Sequence, residues 1–157
     1  MGNTEGSEFP DSNKLAWLAG VIDGEGCFSI FRQHSIPRKD GTTYDYTSAS
    51  ITITNTCNSL LTESRAILDS LGIKYSYLQP RNSTTRPVYR ITVRNYCSVL
   101  ALLDSIQEFL IGKAEQALLM REFVERAKVR KGFDSLEERA EYRAKMSQLN
   151  KYGQLIL

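Results

Sequence analysis

Apolar positions along the chain change period several times, and each change marks an element. Leu15, Trp17, Leu18, Ala19, Val21 and Ile22 cluster as a short apolar helix, opened by the cap chemistry of Asp11-Ser12-Asn13 and closed at Gly24-Glu25-Gly26. Cys27 to Gln33 alternates with period two, as a strand does. A polar loop with Pro37 and Asp40-Gly41 turns the chain back into a second alternating run, Tyr46 to Thr54. There Ala49, Ile51 and Ile53 share one face and Ser48, Ser50 and Thr52 the other. Asn58-Ser59 supplies the cap of a helix carrying Leu60, Leu61, Ile67, Leu68 and Leu71, ended by Gly72. Ile73 to Gln79 and Val88 to Arg94 predict another strand pair around the turn Pro80-Arg81-Asn82-Ser83. Asn95 opens a helix whose stripe is Val99, Leu102, Leu103, Ile106, Phe109 and Leu110, broken by Gly112. Lys113 to Lys131 predicts an amphipathic helix ended by Gly132. The capping box Ser135-Leu136-Glu137-Glu138 opens a last helix that stops near Gly153.

The order α-β-β-α-β-β-α, followed by helices, predicts an α+β domain with a four-stranded antiparallel sheet and C-terminal helices. Its 157 residues suit one domain with a real core, over 12–157, behind a flexible tail at 1–11. Helices should cover one face of the sheet. The other face then carries the leftover positions: Ser29 and Gln33, Ser48, Ser50 and Thr52, then Tyr75 or its neighbours Lys74, Ser76 and Gln79, with Arg90, Thr92 and Arg94. Serine, threonine, glutamine and arginine hydrogen-bond base edges and phosphates in a major groove.

Charge sharpens that picture. The net of +2 is uninformative, but residues 1–25 carry five acids against one base, and residues 26–103 nine bases against four acids. No acid occurs between Asp69 and Asp104, whereas Lys74, Arg81, Arg86, Arg90 and Arg94 do. A cation-only stretch is a candidate phosphate-facing surface, and the near absence of acids tilts the polar sheet face toward DNA. A purely solvent-facing sheet would normally mix in Glu and Lys pairs. The last helix, by contrast, has balanced charges and reads as a solvated cap without a function of its own.

Three widely spaced cysteines, Cys27, Cys57 and Cys97, argue against a disulfide framework or a zinc site and for buried free thiols in a reducing, intracellular setting. No run reaches the roughly 18 apolar residues of a membrane span, and no signal peptide opens the chain. Neither a membrane nor a small-molecule substrate is expected.

One segment carries chemistry. In Leu18-Ala19-Gly20-Val21-Ile22-Asp23-Gly24-Glu25-Gly26, two glycines each cost a helix about 1 kcal/mol against alanine. Spaced four apart, with Ala16 extending the row, they make a face along which another backbone can approach closely. Asp23 and Glu25 then sit where the helix dipole disfavours carboxylates. A second such helix packed in parallel would bring two acidic ends together. That concentration of charge calls for a hard cation such as Mg²⁺, which near a phosphodiester can activate water. The same residues also suit a helix merely capped by its D-G-x-G turn.

Residues 18–26 resemble the LAGLIDADG motif at nearly every position, with Val21 for Leu, Gly24 for Ala and Glu25 for Asp. The order of elements over roughly 12–131 resembles one half of that family's fold. The resemblance implies a homing endonuclease that cuts double-stranded DNA with Mg²⁺, Ca²⁺ substituting for binding or Mn²⁺ for cleavage. It places Glu25 in the metal site, with Gly24 beside it through its carbonyl. Asn55, closing the second strand, would position the attacking water, and Lys113 would stabilise developing charge. A basic residue that some relatives carry soon after the strand-two polar position has no clear match. A single motif implies a homodimer, joined through Ala16, Gly20, Asp23 and Gly24, on a long near-palindromic site. DNA contacts would come from Ser29, Gln33, Ser48, Ser50, Thr52, Gln79, Arg81, Arg90, Thr92 and Arg94. Within the same resemblance, an RNA-splicing maturase or a non-cleaving DNA-binding regulator stays open.

Overall fold

The computed structural model describes residues 9–79, 86–129, 132–133 and 135–153. Its elements follow the predicted order: α1 (Ser12–Glu25), β1 (Gly26–His34), β2 (Asp45–Asn55), α2 (Asn58–Ser70), β3 (Ser76–Leu78), β4 (Tyr89–Val93), α3 (Tyr96–Ile106), a 3-10 turn (Gln107–Phe109), α4 (Ala114–Lys128) and α5 (Leu136–Tyr152). The four strands form one antiparallel sheet in the order β1-β2-β4-β3. Among the described residues no helix is long and apolar enough to cross a membrane.

Strand alternation decides which face is covered. Phe28 and Ile30 of β1, Ala49, Ile51 and Ile53 of β2, and Ile91 and Val93 of β4 are all buried on the face that meets the helices. Leu15, Leu18, Ala19 and Ile22 of α1, Leu61, Ile67 and Leu68 of α2, and Val99, Leu102, Leu103 and Ile106 of α3 complete that core. Burying a side chain of this size stabilises the fold by about 1.5–3 kcal/mol, so Leu18 and Ile22 together offset the two glycines of α1.

Several expectations change. Pro10 is buried and Asp11 caps α1, accepting from the Lys14 N–H at 2.9 Å, so order begins before the end of the expected tail, whose residues 1–8 lie outside the described residues. Asn58 is the first residue of α2 and not its cap. The capping residue is Cys57, which supplies no side-chain bond, and Asn55 Oδ1 accepts the Cys57 N–H at 2.8 Å instead. β3 is shorter than expected because its leading backbone is used elsewhere. The Ile73 N–H bonds Leu68 O at 3.0 Å past the left-handed Gly72 (φ 69°), and the Lys74 N–H bonds Ser98 Oγ at 2.9 Å. The expected turn at Pro80 to Ser83, with Arg81, lies outside the described residues. The cysteines are free but exposed, not buried: Cys27 falls on the outward parity of β1, Cys57 precedes a helix, and Cys97 sits on the outer side of α3.

The last helix is not a solvated cap. Tyr142, Met146 and Leu149 are buried, Asn150 Nδ2 donates to Phe28 O of β1 at 2.7 Å, and Gln116 Nε2 of α4 donates to Leu149 O at 3.2 Å. Tyr142 packs with Phe123 and Phe133, ring centres 5.5 and 5.8 Å away. Its hydroxyl donates to Glu122 Oε1 at 2.5 Å, and burial pushes its pKa up. Ser135 does cap the helix, accepting from the Glu138 N–H at 3.2 Å. Only a narrow stripe is apolar, which is why balanced charge hides the packing role. Met146→Ala should therefore cost about 2–5 kcal/mol in urea unfolding, the range for a truncated buried side chain; a cap without packing would lose no more than about 0.5 kcal/mol.

Candidate functional site

The outward face of the sheet follows from the register. Cys27, Ser29, Phe31 and Gln33 of β1 oppose Thr52, Ser50, Ser48 and Tyr46 of β2. Thr52 and Thr54 oppose Thr92 and Arg90 of β4, which in turn oppose Ser76 and Leu78 of β3. No acidic side chain falls on this face among the described residues. The nearest carboxylate in the β1–β2 hairpin, Asp45, has the opposite parity and pairs with Arg32 and His34; Arg32, then His34, hold it below the usual carboxylate range. Asp40 in the hairpin loop accepts from the Thr42 hydroxyl and N–H, at 2.6 and 2.9 Å, which also lowers its pKa.

Of the residues expected to meet DNA, Ser29, Gln33, Ser48, Thr52, Arg90 and Thr92 lie on this face, half-buried or exposed. Arg94, just past β4, is exposed, but its guanidinium lies 5.6 Å over the Phe31 ring on β1. Since β2 runs between β1 and β4, the arginine crosses β2 at the level of Ser48 and Ser50. Ser50, whose register also puts it on this face, is only 4% exposed in the single chain. Gln79 follows β3 instead of lying within it, while Ser76 and Leu78 hold the outward positions. Tyr75 is half-buried against the core with its hydroxyl on Asp69 at 2.8 Å. The run Ile73, Tyr75, Tyr77 was the signal for that parity: every second residue is apolar enough to face the helices. Phe31 and Leu78, the latter 61% exposed, are face residues that polar pattern reading passed over.

The other half of the site is the C-terminal end of α1. Gly26 starts β1 directly on the last turn of the helix, its N–H bonded to Ile22 O; a Cβ there would lie 2.6 Å from that oxygen, so only glycine allows the junction. Along α1, Ala16, Gly20 and Gly24 are exposed in one row with Trp17 (39% exposed) beside them, and a Cβ at Gly20 or Gly24 would meet nothing within 4 Å. Asp23, expected in that row, points elsewhere. Its Oδ2 accepts the Ile111 N–H and its Oδ1 the Lys113 N–H, both at 2.9 Å, and the Lys113 ammonium bonds the Asp23 carbonyl oxygen. Asp23 is thus half-buried within its own chain.

Glu25 is exposed and makes no hydrogen bond or ion pair among the described residues. Lys113 is brought to the same helix end. Asn55 lies at this end of the sheet too, two residues past Ile53, the register partner of Gly26. Its Oδ1 is engaged with the Cys57 N–H, leaving its amide nitrogen for other work. Among the described residues no three His, Cys, Asp or Glu side chains converge as a metal cage. What one chain offers is a hard oxygen set, the Glu25 carboxylate and the adjoining main-chain carbonyls, and such donors fit magnesium or calcium. Because Glu25 has no partner to lose and sits at the unfavourable end of a dipole, Glu25→Gln should leave the unfolding free energy within about 0.5 kcal/mol, on the stabilising side; urea titration checks this.

Residues 12–107 match the family model described as a LAGLIDADG-like domain. No curated protein matches in sequence. Among solved structures, the homing endonuclease I-CvuI in complex with the I-CreI target in 2 mM Mg, its DNA not cleaved, has a TM-score of 0.66 at 22% identity, covering 95% of this chain and 100% of that one. The archaeal intron-encoded homing endonuclease I-Vdi141I complexed with DNA gives 0.65 at 19% identity, over 94% and 91%. The I-SmaMI LAGLIDADG homing endonuclease bound to cleaved DNA gives 0.60 at 16% identity, over 92% of this chain and 49% of that one. At these identities the likeness shows the fold.

Proposed function

The chain belongs to the LAGLIDADG-like domain family, and from that premise we propose that it is a site-specific, divalent-metal-dependent endonuclease acting on double-stranded DNA as a homodimer. The observation that carries this reading is continuity: a polar sheet face, free of acids among the described residues, runs into a helix end that carries an exposed Glu25, with no partner among those residues, and the Lys113 ammonium on its Asp23 carbonyl. One surface can bind a polyanion; the other can do hydrolysis at its edge. Its relatives I-CvuI and I-Vdi141I carry DNA, and the same class of ligand suits this face.

Two copies would meet along Ala16, Gly20 and Gly24, where the missing side chains let helix backbones come close. The two Glu25 carboxylates then stand together at the dyad. Magnesium held by Glu25 and the Gly24 carbonyl would supply a polarised water and neutralise charge on the phosphate. Asn55 offers its amide nitrogen to orient that water, and Lys113 offers its ammonium to the charge that builds up as water adds to phosphorus and an ester bond breaks. Ser29, Gln33, Ser48, Thr52, Arg90 and Thr92 read or grip each half-site, with bend energy at the centre adding to specificity. Three exposed thiols suit a reducing compartment.

Incubating the protein with a pool of near-palindromic duplexes tests the reading. We expect defined double-strand ends with Mg²⁺, none with chelator, and none from Glu25→Gln, which should still retain the duplex. Cutting by Glu25→Gln at the wild-type rate would remove Glu25 from the metal site, and retention without cutting would favour a regulator or a maturase. Gly20→Leu tests the dimer. Leucine is a better helix former by roughly 0.5–1 kcal/mol, and its Cβ would meet nothing within 4 Å in the single chain. Sedimentation should report a folded monomer where the parent sediments as a dimer, with cleavage lost.

A further inference from the structure

We infer that Asp23 is a positioning residue that builds the Lys113 loop onto the end of α1. The helix α4 begins after Lys113, whose own side chain does not cap it. The N–H groups of Ile111 and Lys113 have no acceptor in the helix and are taken up, one each, by the two carboxylate oxygens of Asp23, 88 and 90 residues away in sequence. The exchange is reciprocal, because the Lys113 ammonium returns to the carbonyl of Asp23 in the last turn of α1. An anion thus stands at the start of one helix and a cation at the end of the other, the favourable sense at both termini. A Cβ at Gly112, between the two N–H groups, would lie 3.7 Å from the same carboxylate, in ordinary van der Waals contact. Each oxygen thus carries one main-chain N–H, and the Asp23 side chain is half-buried against the loop that it holds. Its part is to fix where the ammonium of Lys113 stands relative to Glu25. The consequence for cleavage rests on the nuclease reading above; the clasp itself does not.

The test uses the full chain and two readouts. Asn at position 23 keeps the shape but turns one acceptor into an NH₂ donor facing an N–H. In Asp23→Asn, hydrogen exchange at the Ile111 and Lys113 amides should speed up by about tenfold or more, as expected for losing a bond to a charged acceptor. Amides of buried strands and helices such as Ile51 and Leu102 should keep their protection, and sedimentation should be unchanged. Unchanged exchange at 111 and 113 overturns the inference, whether or not the protein cuts DNA. Should Asp23→Asn lose protection throughout, Asp23→Ser, which keeps a small acceptor without the opposing donor, is read in its place. On the cleavage side, Asp23→Asn should lower the rate on the order of 10–100-fold, the range for removing a supporting group behind a functional one, with duplex affinity retained. In a Lys113→Ala background, where both main-chain bonds to Asp23 remain, the same substitution should cost no further rate. Equal losses in both backgrounds would mean that Asp23 acts otherwise than through Lys113. A parent protein that cuts no duplex would sink the nuclease reading and leave the exchange result to decide the clasp.

Discussion

The C-terminal end of α1 concentrates two carboxylates at the negative pole of a helix dipole, and how the molecule resolves that conflict organises what surrounds it. Asp23 turns its carboxylate to the start of α4, where the local field is positive, and Lys113 brings a cation to the carbonyls that α1 leaves open. The clasp joins elements some ninety residues apart and fixes where α4 begins. From there, Arg121 of α4 holds Gln107 and Asp104 at 2.9 and 2.7 Å, which ties down the end of α3, and Gln116 of α4 reaches α5. One acid is spent on architecture. Glu25, two residues on, is left exposed with no partner among the described residues.

The same helix serves two surfaces under opposite demands. Its buried side must carry enough apolar area to hold a glycine-containing helix in place, and Leu18, Ala19 and Ile22 are fully buried to that end. In the homodimer proposed above its exposed side would have to stay small: a Cβ at Gly20 or Gly24 meets nothing within 4 Å in one chain but would stand between two closely packed helices. Helix propensity and association therefore pull apart at these positions. A gain of under about 1 kcal/mol from alanine in the single chain would be set against the loss of backbone-to-backbone packing.

Much of this was legible in the sequence because alternation and capping are local. Asp11, Asn95 and Ser135 all cap the helices they were expected to cap, and the period-two runs of β1, β2 and β4 fall within a residue or two of the strands. What stayed hidden depends on distant partners. Nothing near Asp23 signals that its acceptors belong to Ile111 and Lys113, so its place in the acidic motif suggested the dimer face. β3 shrank because Leu68 and Ser98 compete for its N–H groups, and the Ser98 hydroxyl comes from another helix. α5 read as solvated because its buried Tyr142, Met146 and Leu149 form a thin stripe in a strongly charged helix. Of the expected site residues, Glu25, Lys113 and Asn55 lie toward the same end of the sheet, Ser50 is on its outward face but buried, and Gln79 follows β3.

Under the DNA-binding role proposed above, the Arg94–Phe31 contact bears on how the face would meet a duplex. It draws the exposed arginine over the sheet toward β1, on the face where Ser50 lies buried. A cation–π contact at an exposed site is worth about 0.5–1 kcal/mol, whereas a bidentate arginine–guanine contact discriminates by about 1–3 kcal/mol. In the proposed complex, a guanine opposite Arg94 would offer the guanidinium a bidentate alternative to the ring. Phe31 and Leu78 add apolar surface of the kind that meets a thymine methyl. On this account the polar pattern of the strands describes only part of the reading surface. In the proposed complex, Ser29 and Gln33 on one strand and Arg90 and Thr92 on another would hold the duplex at the edges of the face, with Arg94 and Phe31 between them.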